Sequence, residues 1–235
     1  MKQFLVVATA LLLTTHVFAE VIPASDSRVV YVGRTQVVGA DVSFDWTATY
    51  FRIAFSGESL TMKASETKWD ADADKAATRH NYYNVWIDSP TSAEPHRIIE
   101  VAGNDTVIEL IDPMYLKKSR RAVHEVIVQK RTEGEQGKTT IHEFATNKKG
   151  KFFQAEPLKV RQLEFIGDSY TCGYGIDAKS RLERFSPETE NASRSYAGIV
   201  SRYFGADYVA IAHSGMGIAR NYNSKFKGWW MPDRY

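Results

Sequence analysis

The stretch QLEFIGDSYTCGYG, Gln162–Gly175, decides how this chain is read. It opens as a short run that turns apolar at Phe165 and Ile166, which predicts a buried β-strand. Gly167 permits a tight turn, Ser169 stands at the bend, and the residues after it predict a helix start. Backbone N–H groups and the dipole at such a start favour negative charge. An acyl-transfer oxyanion needs that environment. Gly167-Asp168-Ser169 by itself equally describes a turn serine. It is not the G-x-S-x-G elbow, because Thr171 stands where the second glycine would be.

Working outward, NASRSYAGIVSRYFG places Tyr196, Ile199, Val200, Tyr203 and Phe204 on one helical face, with serines before it as caps and Gly205 after it. DYVAIAHSGMG, Asp207–Gly217, predicts the next strand and turn. Strand, helix, strand is a βαβ unit with a parallel sheet, whose chemistry lies at the C-terminal strand ends. Ser214-Gly215 lies at that end of the second strand. A parallel pairing brings the Gly215 N–H near Ser169, so two strand ends can supply two oxyanion donors.

Upstream the texture is β. RVVYVG, VSFDW, YFRIAF, SLTMKA, YYNVWI, RIIEVA, TVIELI and VHEVIV are short runs rich in β-branched and aromatic residues. In VSFDW, Val42, Phe44 and Trp46 alternate with Ser43 and Asp45. AGNDT, Ala102–Thr106, reads as a hairpin turn. Many short strands without a helical period predict an antiparallel, jelly-roll-like β-sandwich. The hinge falls at Pro157. The expected organisation is therefore β plus α/β: a leader over 1–19, a sandwich over 20–157 and an α/β segment over 158–235.

The chain has 235 residues, 43% hydrophobic and 25% charged, with a formal charge of +2. That balance speaks against a nucleic-acid binder or membrane-surface protein. MKQFLVVATALLLTTHVFAE reads as a secretory signal peptide cut after Ala19, too short in its apolar core to span a membrane. The location expected is secreted or periplasmic. One cysteine, Cys172, leaves no internal disulfide and no cysteine-rich zinc site. It reads as a small buried residue. The six histidines show no H-x-x-x-H pairing, so no structural or catalytic metal is expected. Asp168 reads as a bond acceptor for turn amides, and His213 as a packed or partly exposed strand-end histidine.

IGDSYTCGYG resembles the first sequence block of the SGNH (GDSL-type) hydrolases, and HSGMGIARNY resembles their second. With a β-sandwich in front, the chain resembles the acetyl xylan esterases of carbohydrate esterase family two, and VGR (Val32–Arg34) and MPDRY (Met231–Tyr235) fit that family too. The resemblance implies that Ser169 attacks an acetyl ester on a sugar hydroxyl while the N–H groups of Ser169 and Gly215 hold the oxyanion. The implied partner is an acetylated polysaccharide or oligosaccharide, no organic cofactor is implied, and Trp229 and Trp230 are candidates for sugar contact. The family also implies an oxyanion asparagine in a G-x-N-D block and a catalytic histidine in a D-x-x-H block. Neither block follows Gly215. The expectation is thus an SGNH-type domain represented in its N-terminal part, nearly inert alone. Two alternatives stay open: a non-catalytic carbohydrate-binding sandwich with a vestigial hydrolase segment, and an esterase acting on a lipid or aryl ester.

Overall fold

The computed structural model describes residues 19–68, 79–147, 149–223 and 230–235. The leader up to residue 18 and Trp69 lie outside the described residues. Two six-stranded antiparallel sheets come first. One has the order β3 (Gln36–Val38), β4 (Asp41–Phe44), β11 (Lys138–Thr146), β6 (Leu60–Thr67), β9 (Thr106–Glu109), with β1 (Val21–Pro23) also on β11. The other runs β12 (Phe152–Phe153), β5 (Tyr50–Phe55), β10 (His124–Lys130), β7 (Asn81–Ile87), β8 (Arg97–Val101), with β2 (Val30–Val32) also on β5. Phe44, Met62, Ile141 and Phe144 of the first sheet and Phe51, Ile53, Val85 and Val128 of the second belong to one buried core. A short helix, α1 (Pro113–Lys118), precedes β10, its first turn capped by Asp112, which accepts from the Met114 N–H at 2.8 Å.

The third sheet is β13 (Gln162–Gly167) paired in parallel with β14 (Asp207–Ala212), as a βαβ unit requires. Between them lie α2 (Ser169–Cys172) and α3 (Tyr196–Tyr203); α4 (Met231–Arg234) follows. The VGR and MPDRY segments meet here. Arg34 donates to the Tyr235 carbonyl at 2.6 Å and lies 4.8 Å from the centre of its ring.

Several expectations from the pattern are corrected. β13 is not buried throughout: Leu163 and Phe165 pack on Tyr208 and Ala210, whereas Gln162, Glu164 and Ile166 are exposed, because one face of this strand is uncovered. Ile199 and Tyr203 of α3 and Phe204 just after it face outward, 55%, 83% and 47% exposed, and Tyr196 is 46% exposed although its ring meets Phe165 edge-on. The helix packs instead through Ala197, Gly198 and Ser201, whose small side chains allow close approach. β4 ends at Phe44, which leaves Trp46 off the strand, and Ser43 is buried because its hydroxyl bonds Thr140 across the pair at 2.9 Å. Ala102–Asp105 is not a hairpin turn: it carries the chain from β8 in one sheet to β9 in the other. The long strand β11 is unforeseen, because a bulge between Ile141 and Glu143 shifts its alternation by one residue.

What joins the two parts explains why every residue of β5 is buried. Phe51, Ile53 and Phe55 face the sandwich core, while Tyr50 and Arg52 face the α/β part. Arg52 pairs with Asp207 at the start of β14, the side chains being 4% and 1% exposed. Tyr50 OH and the Lys159 N–H donate to the same carboxylate at 2.7 and 2.8 Å. Arg131, just past β10, donates to Asp177 at 2.7 Å, Asn84 at 2.8 Å and the Glu188 and Glu190 carbonyls. A buried ion needs this density of partners to offset its lost hydration.

Burial alone would raise the Asp207 carboxyl, but hydrogen bonds from Tyr50, Lys159 and Arg52 outweigh it and hold the group below its ordinary range. A depressed carboxyl stabilises the fold above the unfolded value of about 3.9 and loses that contribution as pH falls toward the folded one. Asp207→Asn is therefore expected to cost about 3–5 kcal/mol at neutral pH by leaving Arg52 buried and unpaired, whereas Arg52→Met with Asp207→Leu lies near wild type. Urea denaturation at pH 7 and pH 3 checks both, with the wild type losing more on acidification than Asp207→Asn.

Candidate active site

Ser169 opens α2 immediately beyond β13, and Asp168 caps it by accepting the Tyr170 N–H at 3.1 Å. The Asp168 carbonyl accepts from Thr171 and Cys172, and the turn closes at Gly173 in the left-handed region. Gly167 is a glycine for steric reasons. A Cβ there would lie 2.0 Å from Thr171 Oγ1, displacing the hydroxyl from its 2.8 Å bond with Tyr196 OH, which ties α2 to α3.

Gly167 and Ala212 stand opposite each other in the parallel ladder, and the His213 N–H extends it to the Gly167 carbonyl at 3.3 Å. Ser169 and Ser214 thus occupy matching positions, two residues past neighbouring strand ends. Gly215 takes φ +75°, which disfavours a side chain there. The surrounding amides are spent: Ser214 donates to Glu133, Met216 to the His213 carbonyl and Gly217 to Asn221 Oδ1. Among the described residues, the N–H groups of Ser169 and Gly215 have no protein acceptor. Nor does any described side chain bond the Ser169 hydroxyl.

Ser169 lies on an open depression of about 400 Å³ with Tyr170, Gly173, Tyr174 and Ile176. Tyr174, which shares this depression with Ser169, stacks on Phe185 at 3.7 Å with an interplanar angle of 9°. Trp230 precedes α4 and does not line this depression, and Trp229 lies outside the described residues. His213 is partly buried, its Nδ1 3.0 Å from the Ser214 carbonyl oxygen.

Beneath the two turns lies a buried polar cluster that sequence reasoning missed. Glu133 and Glu190 are fully buried, and Cys172 Sγ lies 3.7 Å from Glu133 Oε2. One ligand atom from each of these three lies within 4.8 Å of the others, a spacing that could hold a cation. Lys130 already places a buried cation there, its ammonium pushed down to about 8 by burial against the pull of Glu190 and Asp45. Burial and the charge of Glu133 push the Glu190 carboxyl well above its ordinary value. Glu133 stands in RTEGEQG, a turn 81 residues before Ser214, and nothing local marks it.

The family profile described as "Carbohydrate esterase 2 N-terminal" matches residues 31–156. The chain belongs to carbohydrate esterase family two. Within that family's range it is similar to an acetylxylan esterase / glucomannan deacetylase of Cellvibrio japonicus, 31% identical over 77% of this chain and 44% of that protein. It is also similar to the cellulase/esterase CelE of Acetivibrio thermocellus, 31% identical over 64% of this chain and 18% of that protein. A solved family two esterase from C. japonicus superposes with a TM-score of 0.76 at 24% identity, over 92% of this chain and 58% of that one. The family two esterase from Clostridium thermocellum, solved with cellohexaose, gives 0.74 at 26% identity, over 88% and 57%. The chain thus spans little more than half the length of these solved relatives, and less of the curated ones.

Cys172 supplies a test of the buried cluster beneath the two turns. Its thiol is free and buried, and burial, then the charges of Glu133 and Glu190, raise it well above the ordinary range. It should stay inert to a neutral disulfide reagent in the folded protein and react stoichiometrically in denaturant. Rapid reaction in the native state would contradict the packing of α2 on Glu133.

Proposed function

We propose that this chain carries the nucleophile and two oxyanion donors of a secreted carbohydrate O-deacetylase, acting on acetyl esters of plant polysaccharide such as xylan or glucomannan. The observation that carries the reading is the pair of unspent N–H groups, on Ser169 and Gly215, at adjacent parallel strand ends. An SGNH-type α/β domain behind a jelly-roll-like sandwich, divided near Pro157, is the corresponding domain reading. The leader before Glu20 directs export, and no described helix is long and apolar enough to cross a membrane.

Ser169 Oγ attacks the acetyl carbon, and the carbonyl oxygen becomes an oxyanion received by the two amides. The serine proton passes to a general base and then to the departing sugar oxygen. Water enters by the same route, releasing acetate and restoring the serine. The residues after Gly215 contain no D-x-x-H block to supply that base. Removing the base from a serine triad costs up to about 10⁶ in rate in the subtilisin case. Tyr174, stacked on Phe185, offers an aromatic surface to a sugar ring in the depression it shares with Ser169.

Acetate release from acetylated xylan and glucomannan by the full-length protein tests the reading. Ser169→Ala should abolish it, by about 10³-fold or more, with p-nitrophenyl palmitate a poor substrate throughout. Undiminished activity of Ser169→Ala would remove the serine from the mechanism. Glycan binding with no deacetylation by the wild type would favour a binding protein instead.

A further inference from the structure

The Gly215 amide can serve as a donor only if its turn is held still; within the turn, Met216 donates to the His213 carbonyl at 3.1 Å and Tyr222 to the Gly215 carbonyl at 2.7 Å. The sandwich adds a buried anchor. Glu133 follows β10 through Lys130, Arg131 and Thr132, and its Oε2 accepts the Ser214 N–H at 2.5 Å. The same oxygen accepts the Cys172 thiol of α2, so one carboxylate touches both turns of the proposed site. It is not consumed by the neighbouring cation. Lys130 Nζ donates instead to the carbonyls of Thr132 at 2.8 Å and Glu133 at 2.9 Å. Glu190 Oε2 accepts the Glu133 N–H at 3.1 Å, seating the residue from behind. Among the described residues, Glu133 Oε1 and Glu190 Oε1 are both buried without a protein partner. His213 Nδ1 lies 3.8 Å from Glu133 Oε2, on the solvent side of the cluster.

We propose that Glu133 is a positioning residue of the deacetylase site: its buried carboxylate fixes the Ser214–Gly215 turn so that the Gly215 N–H faces Ser169. The proposal rests on the assignment of Ser169 and Gly215 above. A charge-assisted bond to a backbone amide is short and stronger than a neutral one, and here it is shielded from water. A donor held in place before reaction costs no reorganisation in the transition state. Glu133 touches no substrate; its effect reaches the reaction through the Ser214 peptide.

Glu133→Gln keeps the shape and a weaker acceptor. In the full-length protein it should lower kcat about 10–100-fold, less than the roughly 10²–10³ for deleting a donor outright, with KM unchanged. Inactivation by a fluorophosphonate, which forms a tetrahedral adduct on Ser169, should slow in parallel. Wild-type kcat in Glu133→Gln overturns the proposal. So does a loss of activity that only tracks a lowered melting temperature, since a merely structural role produces that. Ser169→Ala run alongside separates the two claims: if it remains active, the serine assignment has failed, whereas an inactive Ser169→Ala beside a fully active Glu133→Gln leaves the serine in place and removes Glu133. Should Glu133→Gln not fold, amide hydrogen exchange in the wild type decides. The Ser214 amide is expected to be strongly protected with its proton resonance far downfield, and a freely exchanging amide overturns the proposal.

Discussion

Two buried arginines, Arg52 on the outer face of a sandwich sheet and Arg131 just past its strand β10, constrain everything built upon it. Arg52 and Arg131 sit where a sandwich normally presents polar residues to water, yet both are buried. A guanidinium in that position requires carboxylates and carbonyls at fixed places, and the α/β part supplies them through Asp207, Asp177 and the Glu188–Glu190 backbone. Apolar contact tolerates sliding, whereas directional bonds to buried charges do not. The two parts therefore meet in one register. That register delivers Glu133, two residues beyond Arg131, beneath the Ser169 and Ser214 turns. The sandwich is part of the site's scaffold.

The legible parts of the fold were those governed by local period. Strand, helix and strand after Pro157 required a parallel pair, and β13 and β14 form one with Gly167 opposite Ala212. YFRIAF was legible as a strand, but its sequence could not tell that Arg52 meets Asp207 and not water, because the partner is 155 residues away. β11 escaped notice because its bulge puts Ile141 and Phe144 on the same face, three residues apart, and so breaks the alternation that marks a strand. Glu133 escaped for the same reason as Arg52: its chemistry lies in what folding brings to it, while its neighbours Gly134 and Gly137 advertise only a turn.

The helix α3 shows a different failure. Tyr196, Ile199, Tyr203 and Phe204 do share one face, so the helical period was read correctly, yet the packed face is the one bearing Ala197, Gly198 and Ser201. An apolar stripe reports where large residues stand on a helix; close packing against β14 needs small ones. The same logic applies to β13, whose inward Leu163 and Phe165 meet an alanine-rich surface around Tyr208. Small residues carry little hydrophobic signal and are easily passed over, although here they set the distance between α3 and the sheet.

The proposed oxyanion site, made of backbone amides, bears on where function is encoded. Neither the Ser169 nor the Gly215 N–H can be removed by changing a side chain, short of introducing proline. What sequence can vary is the set of groups that hold the two peptides: Asp168 on the first turn, the Thr171–Tyr196 bond behind it, and Glu133 under both. Removing one donor carries a cost on the order of 10²–10³ in rate, and loosening its alignment carries part of that cost. In the proposed site rate is then controlled largely by residues that do not touch substrate, and one of the three, Glu133, belongs to the sandwich. A comparison of the α/β segment alone among relatives would miss it.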